Sequence, residues 1–109
     1  MRYLRLKKQK EITDLHRSGK RGYAATLTIV YRPSDRLKMA VCVGKKYGKS
    51  VRRNRIKRLL RAAFSQYVPY LSPCAFLLIP RVSEDYSFAA FQRDIGKILE
   101  RERLLEHIS

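Results

Sequence analysis

Apolar positions recur along this chain with two different periods, and the periods assign the elements. Residues 1–8 are basic and predict an extended start. Over residues 9–18, Ile12, Leu15 and His16 share one helical stripe, which predicts a short helix stopped by Gly19. Residues 26–31 are rich in β-branched and aromatic side chains and predict a strand. Residues 32–36 hold Pro33, Ser34 and Asp35 and read as a turn. A second strand follows over 38–44, and the two strands are expected to pair as a hairpin. Residues 45–50 read as a loop and 51–67 as a helix, and Pro69 and Pro73 bracket another loop. The run from Cys74 to Ile79 is continuously apolar, which suits a strand covered on both faces, and Pro80 ends it. Ser87 is placed to cap a last helix reaching about His107, with Phe88, Phe91, Ile95, Ile98, Leu99, Glu102 and Leu105 at helical spacing. The order α-β-β-α-β-α, with room for a short extra strand near 20–25, predicts the α/β class. The expected architecture is a single-domain α-β sandwich over residues 1–109, with three helices around one small sheet.

The helix at 51–67 carries the clearest pattern. Ile56, Leu59, Leu60, Ala63, Phe64 and Tyr67 fall within about 140° of arc and form its core face. Arg55, Lys57, Arg58 and Arg61 take the opposite arc, and Arg52 and Arg53 stand on the first turn. In the strands, Leu27, Ile29 and Tyr31 alternate with Thr26, Thr28 and Val30, and Met39, Val41 and Val43 alternate with Ala40, Cys42 and Gly44. The larger set should face the core. The smaller set leaves room for something to lie on it, unless the first helix covers it.

Charge changes the picture. The 109 residues hold 25 Lys/Arg and 9 Asp/Glu, a formal net charge of +16. Residues 1–61 contain 20 of the basic residues against 3 acidic ones, whereas 62–109 contain 5 against 6. The basic half is therefore a binding half, and the second half is ordinary neutral protein. Self-repulsion of this size is offset best by a polyanion, so nucleic acid is the expected partner. No apolar run approaches the roughly 18 residues of a membrane helix, and no apolar segment follows the basic start as a secretory signal would require. Cys42 and Cys74 read as reduced core residues, which fits a cytoplasmic protein.

The charge concentrates where a helix tolerates it least. Nine Lys/Arg lie in residues 45–61, and Lys45, Lys46, Lys49, Arg52, Arg53, Arg55, Lys57 and Arg58 surround a helix start without one acidic residue. Unpaired amides already make that end positive, so each cation there costs a few tenths of a kcal/mol. A basic helix face is commonly just solvated. This one lacks acidic partners four residues away, and it makes sense if phosphates dock on the helix start.

Catalytic chemistry is not visible. Glu84 and Asp85 are adjacent rather than convergent, and there is no CxxC, no HxxxH and no Gly-rich phosphate loop. His16 reads as packing, with stacking on a base as a second role open to it, and His107 as a helix end. No catalytic side chain, protein-bound metal, organic cofactor or small-molecule substrate is expected.

The run Gly44-Lys-Lys-Tyr-Gly-Lys-Ser-Val-Arg-Arg-Asn-Arg-Ile-Lys-Arg-Leu-Leu-Arg-Ala-Ala-Phe64 resembles the signature of the bacterial ribonuclease P protein subunit family: a Lys-Lys-x-Gly loop, then Arg-Asn-Arg, then Ile/Leu-Lys-Arg-Leu. The start Arg5-Leu-Lys-Lys8, the short helix ending at Gly19 and the strand Phe76-Leu-Leu-Ile-Pro-Arg81 follow the family's order, so the resemblance covers nearly the whole chain. It implies a βαβ crossover of unusual left hand. It implies a protein that binds the ribonuclease P catalytic RNA and the 5′ leader of precursor tRNA, and assists Mg²⁺-dependent leader removal with the Mg²⁺ held mainly by the RNA. Carried over, Arg53, Asn54, Arg55, Lys57, Arg58 and Arg61 would contact the catalytic RNA and help order nearby metal, with Lys45 and Lys46 flanking; Lys49 and Arg52, at the same basic helix start, are expected to bind RNA with them. Thr26, Thr28, Val30, Ala40 and Cys42 would floor the leader groove, walled by Ile12 and His16. Where the family often shows two Phe four apart on the first helix, this chain has Ile12 and His16, which favours backbone contact over base stacking. A small basic ribosomal protein is the competing expectation, and an autonomous nuclease a third.

Overall fold

A computed structural model describes residues 3–105. The chain runs β1 (Leu4–Arg5), α1 (Gln9–Ser18), β2 (Lys20–Tyr23), β3 (Leu27–Pro33), β4 (Lys38–Val41), α2 (Ser50–Ser65), β5 (Cys74–Pro80) and α3 (Phe88–Arg101). Short 3-10 turns at Lys45–Tyr47 and Val68–Tyr70 flank α2. The five strands form one mixed sheet in the order β1-β4-β5-β3-β2.

That order corrects the expected hairpin. β3 and β4 do not pair; β5 lies between them, antiparallel to β3 and parallel to β4. Residues 34–37 bridge a gap of two strand spacings, roughly 10 Å, which four residues span easily. β5 takes the slot because it is the most apolar strand: residues 74–78 are all buried. Its position makes β4–α2–β5 the βαβ unit of the fold. The true hairpin is β2–β3, closed by the Ala24 N–H donating to the Leu27 carbonyl at 3.0 Å.

The two sheet faces divide as alternation requires. Leu27, Ile29, Tyr31, Met39, Phe76 and Leu78 face α2 and α3 and build the main core with Ile56, Leu60, Phe64, Phe91, Ile95 and Ile98. Phe64 packs edge-on against both Tyr3 and Phe76, with ring centroids 5.6 and 5.4 Å away. On the other face Val30, Ala40, Ala75 and Leu77 meet Leu6 and Leu15, so α1 seals part of it.

Other expectations shift in detail. Gly19 does not take the left-handed conformation of a helix stop; its backbone is extended at φ −73°. It is glycine because α1 ends against β3, where a Cβ would stand 2.5 Å from Val30 Cγ1 and 2.8 Å from the Leu15 carbonyl oxygen. α3 ends at Arg101 rather than near residue 107, and Leu105 instead bridges back to Leu71. His107 lies outside the described residues. Cys74 is buried as expected, but Cys42 is exposed, because the sheet face it points to is not covered there.

Candidate RNA interface

α2 positions the basic residues by its turn of 100° per residue. Ile56, Leu60, Ala63 and Phe64 are buried, which pins the helix and fixes where every cation goes. Asn54 and Arg58 point directly away from the sheet and are exposed. Arg53, Lys57 and Arg61 form the flank toward β4 and are half-buried. Arg52 and Arg55 form the opposite flank, toward the loop that carries Glu84 and Asp85.

The start of α2 has none of the usual helix stabilisers. Its cap residue Lys49 makes no side-chain capping bond, and no acidic residue stands in the first turn. Ion pairs among the described residues involve Lys38, Arg93 and Arg101, and none draws on residues 45–61. Arg53 Nη2 donates to Ser50 Oγ at 3.2 Å, while its buried Nε has no partner. Burial, and then the charge of Arg5, pull the Arg61 guanidinium below its ordinary pKa, with the Tyr3 phenol acting the other way.

Arg52 differs from the rest. Its Nη2 donates to the Ser83 and Glu84 carbonyls, each at 2.6 Å, and its Nε to the Tyr47 carbonyl at 3.1 Å. Its guanidinium also lies 5.4 Å from the Tyr86 ring centroid. Arg52 therefore braces α2 to the 45–47 turn and the 83–86 loop. A guanidinium with these donors engaged acts as a structural buckle.

The groove residues also separate. Val30 is 0% exposed and Ala40 9%, both under α1, so they support a groove without forming an open floor. Thr26 turns to α3: its N–H and Oγ1 both donate to Asp94 Oδ2, at 3.0 and 2.7 Å. Burial pushes the Asp94 carboxyl up, but these bonds and Arg93 outweigh it and hold its pKa below the ordinary value. The open part of the face is set by register. Tyr23 pairs with Thr28, and Thr28 with Ile79; Cys42, donating from its N–H to the Leu78 carbonyl, continues the row. Tyr23, 61% exposed, was missed from the sequence, because its face depends on a β2–β3 register that local alternation does not supply. Ile12 and His16 rise beside this face on α1, four residues apart, and the His16 carbonyl accepts from Arg21 Nη2 at 2.7 Å.

The two candidate regions are joined. A cleft of about 230 Å³ runs between α1 and α2, lined by Ile12 and Ala40 on one side and by Lys57 and Arg61 on the other, with Arg5 and Lys7 at the β1 edge. One extended anion could touch the sheet face and α2 together.

Comparison with known proteins decides the family. The family model described as Ribonuclease P matches residues 1–103. The chain belongs to the ribonuclease P protein family. The ribonuclease P protein component of Phytoplasma australiense is 36% identical over 105 residues, covering 92% of this chain and 91% of the relative. That of Lactococcus lactis is 32% identical, covering 92% and 88%. The Staphylococcus aureus RNase P protein structure superposes with a TM-score of 0.82 at 21% identity, over 94% of this chain and 97% of that one. The Thermotoga maritima protein gives 0.77 at 23%, over 89% and 96%. These two likenesses bear on the fold and agree with its mixed sheet and three helices. As a ribonuclease P protein the chain has the role of a subunit in tRNA 5′ processing, within an endoribonuclease complex, and it partners the ribonuclease P RNA. No helix among the described residues is long and apolar enough to cross a membrane.

The implied Mg²⁺ does not fit this surface. Among the described residues no group of three His, Cys, Asp or Glu side chains stands close enough to hold a metal ion, and the α2 start is cationic. Hard divalent cations take oxygen ligands, which this cationic surface does not gather.

Proposed function

We propose that the α2 start and the 45–49 loop seat on the catalytic RNA, and that the open sheet face beside α1 takes the 5′ leader of precursor tRNA in the cytoplasm. Asn54, Arg58, Arg53, Arg55, Lys57 and Arg61 do the seating, with Lys45, Lys46 and Lys49 beside them. The row Tyr23, Thr28, Ile79 and Cys42, with Ile12 and His16 as wall, carries the leader, and Mg²⁺ stays with the RNA phosphates. The observation that carries this reading is a helix start crowded with cations that no carboxylate among the described residues pairs, opening into a cleft shared with the sheet face. Phosphates at that end satisfy the helix amides and relieve the repulsion at once. A leader held along its backbone needs little sequence preference, which suits an enzyme acting on many precursors.

The test adds the purified chain to catalytic RNA and precursor tRNA at limiting Mg²⁺. Stimulated release of the leader is expected, together with no cleavage by the protein alone. Absence of stimulation would overturn the reading in favour of a structural RNA-binding role. Log affinity for the RNA should fall with log salt by about 0.7–0.9 per phosphate neutralised.

A further inference from the structure

Asp94 is the one buried charged residue among the described residues, 1% exposed, and neither the α2 surface nor the α1 cleft uses it. Both its oxygens are engaged: Oδ2 takes the Thr26 N–H and hydroxyl, and Oδ1 takes Arg93 Nε at 3.3 Å. Thr26 closes the turn that joins β2 to β3. That turn reads Ala24-Ala25-Thr26, without the Gly, Asn, Asp or Pro that ordinarily set the shape of a hairpin. Its shape is therefore fixed from outside. Arg101 Nη2 donates to the Tyr23 carbonyl at the other end of the turn, and the Arg81 N–H donates to the Thr26 carbonyl at 2.9 Å. Farther along the hairpin, the Tyr31 hydroxyl donates to Glu102 Oε1. β2 also lies flush on α3, because a Cβ on Gly22 would stand 2.5 Å from Ile98 Cγ2. The hairpin thus hangs from α3, and its turn hangs from Asp94.

A buried carboxylate is a poor way merely to join two layers. Its desolvation is costly, and an apolar pair of similar volume is often as stable or more so. A carboxylate that takes two donors from one residue supplies something else, a single geometry for that residue. The geometry set at Thr26 is inherited by its neighbours Tyr23 and Thr28, which pair across the hairpin and form half of the open row. We propose that Asp94 is a positioning residue: through Thr26 it sets the β2–β3 turn so that Tyr23 and Thr28 stand where the leader strand meets them. Asp94 touches no RNA itself, because α3 packs on the other face of the sheet. The proposal rests on the leader reading above and gives α3, in the neutral half of the chain, a part in substrate binding.

Asp94→Ala strands the Thr26 N–H and threatens the fold itself, so the test uses Thr26→Val, which keeps the carboxylate and the N–H bond and removes only the hydroxyl. In the reconstituted holoenzyme Thr26→Val should raise KM for precursor tRNA about fivefold, the worth of one hydrogen bond, and leave kcat within about twofold. Affinity for the catalytic RNA and for leaderless tRNA should not change, and Thr26→Ser should restore the wild-type KM. Tyr23→Ala should also raise KM, and in that background Thr26→Val should add less than about twofold, because both act at one place. Effects of the two substitutions that simply multiply, or a parallel loss of catalytic RNA affinity, overturn the positioning role and leave Asp94 a purely structural group. An unchanged KM in either Thr26→Val or Tyr23→Ala overturns it as well. Equal binding of precursor and leaderless tRNA by the wild-type holoenzyme overturns the leader reading itself, so the two failures are told apart.

Discussion

α2 and α3 pack side by side on the same face of the sheet and are built by opposite rules. α3 begins at Ser87, whose Oγ accepts from the Ala90 N–H at 3.1 Å, and its last turn carries Arg101, which reaches the Tyr23 carbonyl. Cap, dipole and charge all favour the helix. α2 starts without a side-chain cap, with cations in its first turn, and ends without a basic residue. Its stability comes from its buried stripe and from the Arg52 brace. One helix carries the features that favour folding at both ends, and the other lacks them where its cations gather.

The comparison can be broken first at the packing of α2. Phe64→Ala, which removes a fully buried ring, should cost about 3–5 kcal/mol and be visible in thermal or urea unfolding. A smaller loss would mean that α2 is not held by its apolar stripe. Next, Arg52→Ala removes three hydrogen bonds to backbone carbonyls and should cost about 1–3 kcal/mol, whereas Arg58→Ala should change stability by less than about 0.5 kcal/mol. Equal effects would erase the distinction between buckle and docking cation.

The partner side is tested by Arg53→Ala combined with Arg55→Ala. Binding of catalytic RNA should weaken about tenfold, with the salt slope reduced by roughly one for each phosphate left without its cation and circular dichroism unchanged. Unaltered holoenzyme assembly would remove these residues from the interface. The smallest effects sharpen the contrast most. Ser87→Ala should destabilise the chain by about 1 kcal/mol. Lys49→Asp should stabilise the free protein by about 0.5–1 kcal/mol and yet weaken RNA binding. Two caps changed in the two helices should thus move stability in opposite directions, read by thermal melts of the free chain.

Much of the fold was legible from residue order because it is local. α1 lies where its stripe predicts, ending at Ser18, and the core positions Ile56, Leu60, Ala63 and Phe64 are buried as their spacing requires. Alternation correctly put Leu27, Ile29 and Met39 in the main core. The sites were less legible. Arg52 looks like its basic neighbours until the 83–86 loop arrives from thirty residues away. Val30 and Thr28 look equivalent until α1 buries one of them. Tyr23 carries no signal until β2 pairs with β3.

Charge segregation, helix periodicity and the run from Lys45 to Arg61 are properties of neighbouring residues, and the amino-acid sequence by itself determines them and the polyanion they require. The insertion of β5 between β3 and β4, the choice of which cations stay idle, and the joining of the α2 flank to the sheet face were decided only by tertiary structure. Each depends on contacts between segments distant along the chain, and local propensity contains no information about which distant strand will fill a slot.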